Sequence, residues 1–123
     1  MTLKRKTPRS AVSLANAACI VRGWQGQDNL PGYENGNVDF NTNCFPTDTT
    51  GNANVIGSTN ARCVRVWNAI LASAPTITTG VSGADYRARA SNNVCTYRYL
   101  LDTSTARQFT YDSRSGGIVP TNP

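Results

Sequence analysis

The sequence predicts an α+β domain in which a helix is stapled by a disulfide to a small antiparallel β-meander, and three observations lead there. The stretch from Arg62 to Val119 reads RCVRVWNAILASAP, then CTYRYL, then RQFTYDSRSGGIV, which is an amphipathic helix followed by strand-like alternation with a cysteine in each part. The four cysteines, Cys19, Cys44, Cys63 and Cys95, form an even set with no CxxC or other metal-type spacing. A chain of 123 residues makes one domain with a modest core, a size at which covalent staples add appreciably to stability.

Residues 1–9 read as a disordered basic tail and 10–123 as the globular domain. From Ser10 to about Gln25, Leu14, Ala17, Ala18, Val21 and Trp24 recur at intervals of three and four, which puts them on one face of a helix. Pro8 and Ser10 suit its start, and Gly23 and Gly26 its end. From Asp28 to Asn60 no periodicity is sustained: Pro31-Gly32, Asn35-Gly36, Pro46 and Gly51 punctuate an Asn- and Thr-rich segment with at most a short strand at Val38 to Phe40. So long a loop in a small domain is functional or stapled, and Cys44 is the staple.

Thr59 or Asn60 caps a second helix from Ala61 to Ala74, whose Cys63, Val66, Trp67, Ile70 and Leu71 form one apolar stripe, while Arg62, Arg65 and Asn68 face away. Pro75 ends it, and a Thr-rich link, Thr76 to Gly83, leads to the sheet. With Asn92-Asn93 as a two-residue turn, Ala90 faces Cys95, Ala88 faces Tyr97 and Tyr86 faces Tyr99, all on the apolar side. Arg87, Arg89, Thr96 and Arg98 share the other side. A slip by one residue would destroy that separation, so the register is well specified. Phe109 and Tyr111 continue the pattern on a third strand, and Ile118 and Val119 make a short fourth.

Four cysteines allow three connectivities. Cys63 lies on the buried stripe of the second helix and Cys95 on the inward face of the sheet, which favours Cys63–Cys95 with Cys19–Cys44, each closed loop contributing roughly 3 kcal/mol in the chain-entropy model. Disulfides imply export to an oxidising compartment, extracellular or periplasmic. No apolar run follows the basic MTLKRKTPR, so the exporting segment is expected to lie outside this sequence or to be supplied by another chain.

The composition argues against chemistry. There is no histidine, the commonest general base and transition-metal ligand. Glu34 is the only glutamate, and Asp28, Asp39 and Asp48 are scattered through the long loop; Asp28, Glu34 and Asp39 could surround a calcium ion, but no EF-hand spacing is present and these carboxylates read as solvated turn residues. No catalytic residue, cofactor site or metal site is therefore expected, and the chain does not read as an enzyme. The net charge of +5 gathers in Lys4, Arg5, Lys6 and Arg9, a terminal run rather than a nucleic-acid-binding face. Arg87, Arg89 and Arg98 cluster on the outer side of the hairpin and have two readings: solubilising an exposed face, or recognising acidic glycans or an adjacent subunit. Trp24 and Trp67 fall on helix stripes and read as core.

The segments GNVDFNTNCFPTDT (Gly36 to Thr49), RCVRVWNAILASAPT (Arg62 to Thr76) and CTYRYLLDTSTARQFTYDSRSGGIV (Cys95 to Val119) resemble minor pilins of the type IV, mannose-sensitive haemagglutinin (MSHA) kind over roughly residues 10 to 121. That resemblance implies a pilin-like N-terminal helix packed on the sheet and a structural role in a Gram-negative pilus or fimbrium, with other pilin subunits as partners and surface adhesion as the outcome. A pseudopilin of a secretion system and a secreted glycan-binding module with a preformed pocket on the long loop are the alternatives. Cys63 and Cys95 match the family's disulfide between helix and sheet. The family's Gly-Phe-type leader junction, apolar spine and early glutamate have no counterpart in this sequence, so membrane contact is expected only through a missing N-terminal helix.

Overall fold

The computed structural model describes residues 7–27, 30–33, 36–51, 55–71, 74–102, 104 and 106–121. Its first helix, α1, runs Pro8–Arg22 because Thr7 is extended and its side chain accepts a hydrogen bond from the Ser10 amide, while Gly23 closes the helix in the left-handed conformation at φ 69°. The helix thus starts two residues earlier than expected. Arg9 belongs to its first turn, not to a tail, and donates to the Ile118 carbonyl at 3.0 Å; residues 1–6 lie outside the described residues.

The buried face of α1 also differs from the expected one. Ala11, Val12, Ala15 and Cys19 are buried, whereas Leu14, Ile20 and Val21 are 50%, 54% and 85% exposed. Two ties from one side set this rotation. Cys19 is bonded to Cys44, and the Asn16 side-chain amide donates to the carbonyls of Asn43 and Cys44 at 3.2 and 3.0 Å. Trp24 lies beyond the helix end, half-buried near the Phe40 ring, with the Arg22 guanidinium over its own ring at 4.8 Å.

The stretch expected to be loop contains a three-stranded antiparallel sheet, β1 (Leu30–Tyr33), β2 (Gly36–Phe40) and β3 (Pro46–Asp48), in the order β1-β2-β3. Residues 38–40 and 46–48 are buried on both faces. Two aspartates and a threonine among them hide the apolar alternation by which strands are read from sequence.

The second helix, α2, spans Asn60–Ile70 and ends against Leu71, shorter than the expected run to Ala74. Thr59 occupies its N-cap position without a side-chain capping bond. The Asn60 side chain instead accepts from the Ala90 amide at 2.7 Å, tying the helix start to the large sheet. Cys63, Val66, Trp67, Ile70 and Leu71 are all buried.

That sheet has five strands, β4 (Ile77–Thr78), β5 (Tyr86–Ser91), β6 (Val94–Tyr99), β7 (Gln108–Asp112) and β8 (Gly117–Thr121), in sequential order. β4 arises inside the expected Thr-rich link and runs parallel to β5, so the sheet is not a pure meander. The hairpin register is the one argued from residue types: Tyr86↔Tyr99, Ala88↔Tyr97 and Ala90↔Cys95, closed by Asn92 and Asn93 at φ 48° and 68°.

The core lies where α2 and the start of α1 meet the inner face of this sheet. Trp67 is its centre, with the Tyr86, Tyr97 and Phe109 rings 4.8, 4.9 and 6.1 Å away. The buried phenols of Tyr97 and Tyr111 donate to the Cys63 and Pro46 carbonyls, both at 2.7 Å, so one hydroxyl ties sheet to helix and the other ties sheet to sheet. Burial pushes both phenols well above their ordinary pKa, which keeps them as donors at any physiological pH. A second join runs through Gly116, whose positive φ of 74° and missing side chain seat the Phe45 ring: a Cβ there would stand 2.2 Å from it.

Candidate functional site

The charged residues fall into two groups with opposite logic. In the first, Asp48 is 1% exposed at the end of β3, paired in register with Asp39 of β2. Both were expected to be solvated turn residues, and both are buried. Arg65 of α2 holds Asp48 through two hydrogen bonds, Arg62 approaches to 3.4 Å, and the Thr49 amide and Thr50 hydroxyl donate to it. Asp39 accepts from the Gly51 amide at 3.1 and 3.2 Å. Arg62 and Arg65, expected to face solvent, thus lean back over the small sheet. Asp28 and Glu34, the other candidate calcium ligands, lie outside the described residues.

Burial pushes the Asp48 carboxyl up, but the Arg65 hydrogen bond, with the bonds from Thr49 and Thr50 and the Arg65 charge, outweighs it and holds the group below the ordinary carboxylate range. A depressed folded-state pKa contributes stability above the unfolded value, about 4, which is lost as pH falls through the folded value. Asp48→Asn is therefore expected to lower the urea midpoint at neutral pH, with the gap to the parent narrowing as pH drops from about 5 to about 2. Urea titrations at stepped pH check this. Parallel curves would place the acid sensitivity elsewhere.

The second group is the outer face of the large sheet. Antiparallel pairing sets Arg87 directly opposite Arg98 and Arg89 opposite Thr96. The row extends to Thr78 on one flank and to Gln108 and Thr121 on the other, and the next row continues from Thr96 to Thr110 and Val119. Among the described residues no carboxylate comes within ion-pair distance of Arg87, Arg89 or Arg98. Asp112, on the same face, is claimed by Arg114 at 3.0 Å. The Arg87 Nε is buried and has no hydrogen-bond partner among the described residues. Sequence alternation finds these three arginines; it does not find the orphaned donor, which depends on how the guanidinium packs.

The exposed stripe of α1, formed by Leu14, Ile20 and Val21, is a further surface that the expected helix face had hidden. At the end of the sheet beyond Trp67, Tyr86, Tyr99, Phe109 and Pro120 of the inner face, with Arg107, Gln108 and Thr121, line an open cleft of about 290 Å³. The glycan-binding alternative places its pocket on the long loop, where Asn41, Thr42, Asn43 and Val55, with Asn93, Ser113 and Arg114, line a second open cleft of about 210 Å³ that carries neither an aromatic ring nor a carboxylate.

The disulfides pair Cys19 with Cys44 and Cys63 with Cys95, with Cα separations of 5.5 and 5.7 Å, and no free cysteine remains among the described residues. They point to an oxidising environment, outside the cell or in the periplasm. No described helix is long and apolar enough to cross a membrane, and no cluster of metal-ligating side chains occurs among the described residues. Comparison with family models, curated proteins and solved structures finds no match, so what the chain is similar to rests on its own residues.

Proposed function

We propose that this chain is a structural, pilin-like subunit of a type IV, MSHA-type surface filament, acting in assembly and adhesion outside a Gram-negative cell without catalysis. The observation that carries this reading is the exposed apolar stripe on the N-terminal helix. Leu14 and Val21 stand seven residues apart on one side of α1, with Ala17 between them, and turn away from the domain's own core. A helix that is half-buried in its domain and apolar on the other side suits packing against neighbouring subunits. The disulfide-stapled sheet then serves as the displayed surface.

The double change Leu14→Asp with Val21→Asp tests this. Both positions are solvent-exposed, so the melting temperature should stay within a degree or two, while the subunit disappears from the sheared surface-filament fraction of the cells that make it. Incorporation at the parental level would remove the basis of the proposal. The alternative, a pseudopilin of a secretion system, would show instead as a secretion defect with surface filaments unaltered.

A further inference from the structure

The open face of the large sheet poses a physical question independent of filament assembly. Like charges placed directly opposite in an antiparallel pair, with Cβ atoms about 5 Å apart, are destabilising. Arg87 and Arg98 stand in that relation, Arg89 follows two residues on, and no described carboxylate neutralises any of them. Asp85, two residues before Arg87, does not reach ion-pair distance. The buried Arg87 Nε, without a partner among the described residues, adds a second cost, because such a donor forfeits its hydration. An oxyanion lying across the pair removes the first cost: it neutralises two guanidiniums and accepts from their outward N–H groups.

We propose that Arg87 and Arg98, flanked by Thr78, Thr96 and Gln108, bind the oxyanion groups of an acidic polysaccharide, with Arg89 extending the site along the strand. Three features favour an extended glycan. The five strands, at about 4.8 Å spacing, give an open face about 20 Å across, broader than a single small ion needs. Hydroxyls from Thr96 and Thr110 continue beside the arginines, suited to sugar hydroxyls. The arginine rows carry no aromatic ring on which unpaired bases could stack, which disfavours single-stranded nucleic acid.

The test compares dextran sulfate, polygalacturonate, uncharged dextran, inorganic sulfate and duplex DNA by calorimetry at one ionic strength. The parent chain is expected to bind the sulfated or carboxylated polymer and not uncharged dextran. Arg87→Gln with Arg98→Gln should weaken that binding tenfold or more, since each lost charged hydrogen bond is a large effect. Replacing Lys4, Arg5 and Lys6 by glutamine should leave it within twofold. In the parent, the Arg87 guanidinium N–H resonances should move on titration with a dextran sulfate oligomer, a readout that needs no variant to fold. The double variant should melt no lower than the parent, because a like-charge pair is gone; if it fails to fold, Arg89→Gln and the resonance shift decide. Unchanged affinity in the double variant, loss in the tail variant, tighter binding to DNA than to the acidic polymers, response to inorganic sulfate alone, or a motionless Arg87 signal would each overturn the proposal.

Discussion

Tyr97→Ala is expected to destabilise the domain by about 3 to 5 kcal/mol, among the largest effects of any single substitution. Tyr97 is 3% exposed, its ring packs between Trp67 and Phe109, and its hydroxyl holds the Cys63 carbonyl. Truncation therefore opens a cavity at the meeting of α2 and the sheet and removes a buried tie. A small void in that core, lined by Val12, Trp67, Tyr97 and Tyr111 among others, measures about 10 Å³. Tyr97→Phe separates the contributions, because it keeps the ring and loses only the hydrogen bond, at about 1 kcal/mol. Arg89→Ala, exposed on the other face of the same strand pair, should change the unfolding free energy from urea titration by no more than about 0.5 kcal/mol. Equal effects at Tyr97 and Arg89 would contradict the assignment of faces.

The second large effect concerns Cys63–Cys95. Replacing both by alanine should cost roughly 3 to 4 kcal/mol, the chain-entropy value for a separation of 32 residues. Both sulfurs are buried between α2 and β6, so the loss falls on the same helix–sheet contact that Tyr97 serves, and the two changes should not be additive. Thermal melts of the single, double and combined variants measure this coupling. Peptide mapping of native, non-reduced protein should recover Cys63 linked to Cys95 with no alkylatable thiol; four reactive thiols in that material would overturn the exported reading.

The hairpin was legible in the sequence because several local signals agree. Asn92-Asn93 accepts positive φ, and the strict alternation of Ala88, Ala90, Cys95 and Tyr97 against Arg87, Arg89, Thr96 and Arg98 leaves one workable register. The same alternation exposed the arginine face. The rotation of α1 was not legible: in an alanine-rich helix the larger residues Leu14 and Val21 dominate the pattern, whereas its orientation is decided by Cys19, Asn16 and their partners more than twenty residues later. The small sheet escaped for a related reason. Asp39, Thr47 and Asp48 look like loop residues until Arg65, from a helix further along the chain, makes burial of Asp48 affordable.

The order of the two disulfides along the chain has a consequence for biosynthesis. Cys19–Cys44 and Cys63–Cys95 close consecutive segments that neither overlap nor nest. A polypeptide delivered to an oxidising compartment from its N-terminus presents Cys19 and Cys44 together before either later cysteine arrives. Pairing each thiol with the next one to emerge therefore yields the native set, and an oxidant suffices where crossed or nested bonds would call for an isomerase. A permuted chain that delivers Cys63 between Cys19 and Cys44 would lose this advantage and accumulate mispaired forms during export.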